Sequence, residues 1–335
     1  MKAAVFRQVG EKFAIVDLPV PEPAPHEVIL KVERCGICGS DLKMTENPAV
    51  APPADAVIGH EFAGEVVAIG SAVTKFKPGD RVAAMPIVGC GTCAQCQAGN
   101  PAWCAQGMNY VAGGYAQYAR AGEFGCFLLP PGLDAQDGAL VEPLAVSLHG
   151  IRMAGDFTGK TVKVIGAGPI GLSALFWARH YGAARVAMVD GNADRGRMAL
   201  AMGADEVHAP TPADAAPLPP EMLADIVVEC VGKPGLLTAA LAHVRPGGQV
   251  VSLGFSMMPE QFTTGTANRR DATIHFPMMY TIDDYQTTLD VLASGKVQPR
   301  IMVTGVVSLA ELPDRFEELR NPGTQCKVMI DPWAA

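Results

Sequence analysis

The sequence has no surplus of basic residues. Lysine and arginine total 26 against 34 aspartates and glutamates, for a formal net charge of −8. A chain that lives on phosphate backbones is normally basic, so nucleic acid is not an expected partner. Residues 1–13 contain no apolar stretch of signal-peptide length, which argues against export and for the cytoplasm. A membrane-spanning run is also missing. The longest uncharged stretch, residues 82–119, is interrupted by Gly, Gln, Asn and Cys. There are no internal repeats and no long low-complexity tract. Charged residues make up 18% and apolar residues 49%, which excludes a disordered chain. At 335 residues the chain is too long for one ordinary core, so two domains are expected.

Two local grammars divide the chain. To about residue 150 it reads as short β-like pieces with long loops, at 2–7, 13–18, 27–33, 65–69 and 81–88. From about residue 155, strands alternate with helices. Residues 161–165, 185–190, 225–230 and 249–253 read as strands, and 194–202 and 281–294 as helices. That alternation implies parallel βαβ units. Residues 209–220 hold five prolines and read as a loop lacking a full helix. The tail, 301–330, returns to strand-like pieces around a helix near 312–319.

Nine cysteines are present, and four of them, Cys90, Cys93, Cys96 and Cys104, fall within fifteen residues. Reduced cysteines at such spacing point to metal rather than disulfides. Four thiolates around tetrahedral zinc leave no position for substrate, so this site is expected to be structural. A second set is scattered. Cys38 lies in Gly36-Ile37-Cys38-Gly39-Ser40-Asp41, His60 and Glu61 in Gly59-His60-Glu61, and Glu142 in Val141-Glu142-Pro143. A thiolate, an imidazole and a carboxylate with one open position are the donors of a catalytic zinc.

In this order, with the four-cysteine run between them and a glycine-rich turn after them, these motifs resemble the zinc-dependent medium-chain dehydrogenase/reductase family. The similarity is to its polyol (sorbitol-like) branch and covers essentially the whole chain. The resemblance implies that Cys38 and His60 bind catalytic zinc and that Glu142 takes the third position. Glu61 would have a part-time or outer role, since a second carboxylate would make the site anionic. Asp41 matches the acid that orients the zinc-bound histidine. Ser40 matches the first hydroxyl of a proton relay. Lys43 stands where many relatives have the relay histidine, which leaves Lys43 or water to complete the path. Cys35 matches a non-ligand position, and Cys126, Cys230 and Cys326 are expected as buried thiols.

The turn Gly166-Ala167-Gly168-Pro169-Ile170-Gly171 follows an apolar strand and opens an apolar helix. That is the context a dinucleotide fingerprint requires. Its glycines permit the tight turn, the approach of the pyrophosphate, and close helix–strand packing. Asp190 ends the next strand, 24 residues after Gly166, where a carboxylate accepts from the ribose hydroxyls and repels a 2′-phosphate. NAD is therefore expected over NADP, with Arg195 nearby leaving some tolerance for NADP.

The expected fold is α/β. A GroES-like β-rich catalytic domain spans 1–153, with its zinc lobe at 89–105. A Rossmann doubly wound parallel sheet spans 154–290, and 291–335 returns to the catalytic domain. The resemblance implies an NAD-dependent oxidoreductase with two zinc ions per subunit, the catalytic one in a cleft between the domains. Its substrate would be an alcohol, a polyol or the corresponding ketone, and the assembly a homodimer or homotetramer. Residues 248–255 and 273–280 are candidate pairing segments. A threonine-type or other secondary-alcohol dehydrogenase, and a nucleotide-binding redox sensor, are the alternatives. Substrate contacts are expected from residues 44–53, 108–114 and 255–258.

Overall fold

Strand Glu27–Gly36 is the spine of the first sheet in the computed structural model. It is buried along most of its length and pairs antiparallel with Glu61–Ile69, Tyr118–Gly122 and Lys327–Asp331. The seven-stranded sheet runs Val303–Ser308, Lys327–Asp331, Glu27–Gly36, Glu61–Ile69, Arg81–Ala84 and Cys126–Leu128, with Tyr118–Gly122 branching from the spine. The tail strands thus rejoin the N-terminal sheet. The core beneath it draws on both parts of the chain, with Leu30, Phe62, Val66 and Tyr115 meeting Leu312, Phe316, Val328 and Ile330. The structure describes residues 1–210, 218–295, 299–321 and 323–334. Among them no helix is long and apolar enough to cross a membrane.

The second sheet is wholly parallel. Its strands, numbered within this unit, are β1 (Thr161–Ile165), β2 (Arg185–Val189), β3 (Glu206–His208), β4 (Ala224–Glu229), β5 (Val244–Ser252) and β6 (Thr273–His275). They lie in the order β3-β2-β1-β4-β5-β6. Apolar runs such as Val162, Val164 and Ile165 in β1, and Val227 and Val228 in β4, are buried, as a sheet covered on both faces requires. The direction of winding reverses between β1 and β4, which makes that junction the switch point of a Rossmann sheet.

Three features of the structure bear on these expectations. The chain does not continue as strands and turns to residue 150, because Ala135–Met153 is a nineteen-residue helix. It lacks a clear amphipathic rhythm because nearly every side is buried, and it carries Pro143 within it. The units separate at that proline. One comprises Met1–Glu142 with Thr281–Ala335, and the other Pro143–Tyr280. The second half of the helix belongs to the parallel-sheet unit: the Trp177 indole N–H donates to the Leu144 carbonyl at 2.7 Å and the Ser147 hydroxyl to Ile170 O at 3.2 Å. Third, 248–252 lies in β5, hydrogen-bonded to β4 and β6, and cannot pair with another copy. β6 is the edge. Of the proline-rich stretch at 209–220, residues 211–217 lie outside the described residues.

Candidate active site

Cys38 follows the spine strand and is the N-cap of helix Gly39–Glu46. Its backbone N–H donates to Asp41 Oδ2 at 3.3 Å, one half of a capping box. The Ser40 hydroxyl donates to Cys38 Sγ at 3.2 Å. Asp41 has no solvent exposure. Its Oδ2 accepts from the Tyr115 hydroxyl at 2.6 Å, and its Oδ1 lies 3.2 Å from His60 Nδ1. That last contact is an ion-pair distance without hydrogen-bond alignment. With Nδ1 turned to Asp41, Nε2 of His60 is the nitrogen left for a metal. Burial pushes the Asp41 carboxyl up, but His60, the Tyr115 hydroxyl and the Cys38 N–H outweigh it and hold the group below its usual range. Burial pulls His60 down, yet the charge of Asp41 carries it well above its ordinary value.

Glu61 opens the next strand, opposite Gly36 in register. It is fully buried, and both its oxygens accept from Lys327 Nζ, at 2.7 and 2.6 Å. Lys327 is equally buried and also donates to the Ile37 carbonyl at 3.1 Å. Burial lowers its pKa, but Glu61 more than compensates and the ammonium is held charged. A Cβ at Gly36 would lie 1.9 Å from Glu61 Oε2, so this carboxylate position exists only because residue 36 is glycine.

Ligand atoms of Cys38, His60 and Glu61 lie within 4.8 Å of one another. Donors around tetrahedral zinc stand about 3.3–3.8 Å apart, so a small contraction would close this set on an ion, and its sulfur, nitrogen and oxygen donors suit zinc. Glu142, on helix Ala135–Met153, is buried near these residues. Its charge raises the pKa values of Tyr110 and Lys327, but it is not one of the three that converge. Lys43 lies half-buried on the last turn of helix Gly39–Glu46.

The sulfurs of Cys90, Cys93, Cys96 and Cys104 also lie within 4.8 Å of one another. Backbone N–H groups point at them: Cys93 N to Cys90 Sγ at 3.3 Å, and Cys96 N and Ala105 N to Cys93 Sγ at 3.5 Å. Hydrogen bonds from Thr92 pull the Cys90 thiol down to about 5, whereas burial pushes Cys96 up to about 12. A cation among the four sulfurs would favour thiolate at every position. All nine cysteines are free, and Cys126 and Cys326 are buried while Cys230 is partly so.

In the parallel-sheet unit, Gly166 has φ +95° and begins the turn after β1. A Cβ at Gly171 would lie 1.8 Å from Gly166 O, so the turn closes directly on the helix. Nothing lies within 4 Å of the Cβ position of Gly168, the N-cap of helix Pro169–His180, and that open face is where a phosphate can meet helix N–H groups. Pro169 and Ile170 form the first turn of that helix. Asp190 Oδ2 accepts from Ala167 N and Oδ1 from Asn192 N, each at 2.7 Å, which fixes the carboxylate beside the turn. Arg195 lies in the first turn of helix Ala193–Ala201, where its N–H donates to the Asn192 cap at 3.1 Å.

A cavity of about 590 Å³ in the first unit is bordered by Asp41 and Tyr110 and lined by Met44, Val50, Pro52 and Val111. Two of the expected substrate loops, 44–53 and 108–114, thus share one cavity. The Tyr110 ring lies 5.9 Å from the His60 ring. Sequence reasoning missed Lys327 and Tyr115, and did not single out Tyr110 within the expected loop 108–114. The signal for Lys327 was a lysine at the head of an otherwise apolar strand, Lys327–Asp331.

Family comparisons agree with this geometry. Residues 24–131 match the alcohol dehydrogenase GroES-like domain, and residues 169–294 match the zinc-binding dehydrogenase domain. A probable D-xylulose reductase A from Aspergillus clavatus is 35% identical over 94% of this chain and 92% of its own length. Sorbitol dehydrogenase from Bacillus subtilis is 33% identical over 99% and 97%. The crystal structure of an Escherichia coli oxidoreductase/dehydrogenase of unknown specificity superposes with a TM-score of 0.89 at 33% identity, covering 99% of both chains. The chain belongs to the zinc-dependent medium-chain dehydrogenase/reductase family, in its polyol branch. It is an oxidoreductase that moves hydride between a CH–OH carbon and a nicotinamide coenzyme.

Proposed function

We propose that the enzyme is an NAD-dependent dehydrogenase of polyols and secondary alcohols carrying two zinc ions per subunit. The observation that carries the reading is the convergence of Cys38, His60 and Glu61, braced by Asp41 and Lys327. These three would hold the catalytic ion, with Glu142 beside them as the exchanging carboxylate. Cys90, Cys93, Cys96 and Cys104 would hold the structural one. A bound zinc ion supplies the Lewis acidity that lets an alcohol ionise near neutral pH. Asp41 fixes the tautomer of His60. Ser40, bonded to Cys38 Sγ, is placed to receive the hydroxyl proton and pass it outward through Lys43 or water. The pyrophosphate rests on the Gly166–Gly171 turn. Asp190 takes the adenosine ribose and disfavours a 2′-phosphate, which selects NAD.

Met44, Val50, Pro52 and Val111 give the cavity an apolar wall, with Asp41, Asn109, Tyr110 and Arg120 among its polar members. Free thiols suit a reducing cytoplasm. The edge strand β6 suits pairing into a homo-oligomer, which sizing in solution checks.

The test is coenzyme absorbance at 340 nm with polyols, secondary alcohols, threonine and ketones, using NAD and NADP, before and after chelation. Turnover of an alcohol with NAD that disappears on chelation is expected. Coenzyme binding with no turnover of any alcohol would leave the redox-sensor alternative standing.

A further inference from the structure

Glu229 is an acidic side chain that the proposed chemistry does not use. It ends β4 and is 3% exposed. Its Oε1 accepts from the backbone N–H of Val231 at 2.7 Å and of Gly232 at 2.9 Å. Its own carbonyl accepts from Leu253 N at 2.8 Å and Gly254 N at 2.9 Å, just beyond β5. One residue therefore ties together the loops that leave β4 and β5. The two loops also meet directly. A Cβ at Gly254 would lie 2.1 Å from Gly232 N and 2.4 Å from Glu229 Oε2. Gly232, at φ +67°, would bring a Cβ to 2.4 Å from Phe255 O.

In an open α/β sheet a ligand lies beyond the carboxyl ends of the strands, at the switch point. The β1 and β2 side of that point is occupied by the phosphate turn and Asp190. A dinucleotide whose pyrophosphate rests on the turn after β1 extends its other half over β4 and β5, onto the loops Glu229 binds.

We propose that Glu229 is a positioning residue for the nicotinamide half of the coenzyme. By accepting from two partly buried amides it sets the shape of both loops, and those loops receive the nicotinamide riboside. This rests on the reading that the unit binds a dinucleotide.

The test is calorimetric binding of NADH and of ADP-ribose, which lacks only the nicotinamide, to wild type, Glu229→Leu, Glu229→Gln and Gly254→Ala. Glu229→Leu strands two amides and should weaken NADH about tenfold or more while leaving ADP-ribose within about twofold. Glu229→Gln keeps an acceptor oxygen and should restore NADH affinity. Gly254→Ala forces the loops apart with the carboxylate intact, and should copy Glu229→Leu. If Glu229→Leu does not fold, the contrast between Gly254→Ala and Glu229→Gln decides. Equal losses for both ligands, or no loss of NADH affinity in the folded variants, would overturn the proposal. Wild type that binds neither ligand would instead overturn the dinucleotide reading beneath it.

Discussion

The two cysteine-containing sites of the first unit are built in opposite ways. The four-cysteine lobe is local. Its donors span fifteen residues, its helix Ala94–Gln97 buries nothing, and Trp103 and Met108 are 61% and 46% exposed. Such a loop has no core of its own, so an ion held by the four sulfurs would supply its fold. The site at Cys38, His60 and Glu61 is tertiary. Its supports are Asp41, Tyr115 and Lys327, the last from the far end of the chain, and Asp41, Glu61 and Lys327 are almost entirely buried. Here the fold sets the donors before any ion arrives. In the proposed reading one site would use metal to make structure, whereas the other would use structure to aim metal at chemistry.

Variants that separate the two sites sharpen this contrast. His60→Ala removes a donor from the tertiary site. Turnover should fall by about three orders of magnitude or more, the scale of a lost Lewis acid, while ADP-ribose binding persists. Steady-state kinetics with calorimetry checks both halves of that statement. Ser40→Ala should retain zinc and NADH binding and lose about 100-fold in kcat, the scale of a lost proton-transfer group; unchanged kcat would remove Ser40 from the relay. Asp41→Asn leaves every donor in place but loosens His60, and should cost about 10–100-fold in metal affinity, read by competition with a chelator. Cys93→Ser should act on the other region. It should lower the unfolding midpoint by about 5 °C and open 89–105 to protease, with kcat nearly unchanged. If Cys93→Ser silenced the enzyme without destabilising it, the division between a structural and a catalytic site would be wrong.

The same contrast explains what could be read from sequence. Motifs confined to a few residues were legible: the cysteine spacing and the turn at Gly166–Gly171, whereas the pairing of Cys38 with His60 was suggested by the family resemblance. β1 was placed to the residue. Long-range partners were not legible. Lys327 meets Glu61 across 266 positions, and no local pattern encodes that pairing. The spacing of Glu61 and Glu142 from Cys38 could not say which carboxylate stands nearer, because that depends on the register of Gly36 with Glu61. Helix Ala135–Met153 was hidden by its uniform burial and by Pro143. The run at 248–252 carries the buried Val250 and Val251 because it is a central strand, the feature that makes it unfit for an interface between copies.

Elemental analysis of protein purified without chelators tests the central claim most directly. The account predicts two zinc ions per chain in wild type, and one each in His60→Ala and Cys93→Ser, lost from different places. A wild-type chain without zinc, or a zinc count that His60→Ala leaves untouched, would contradict it.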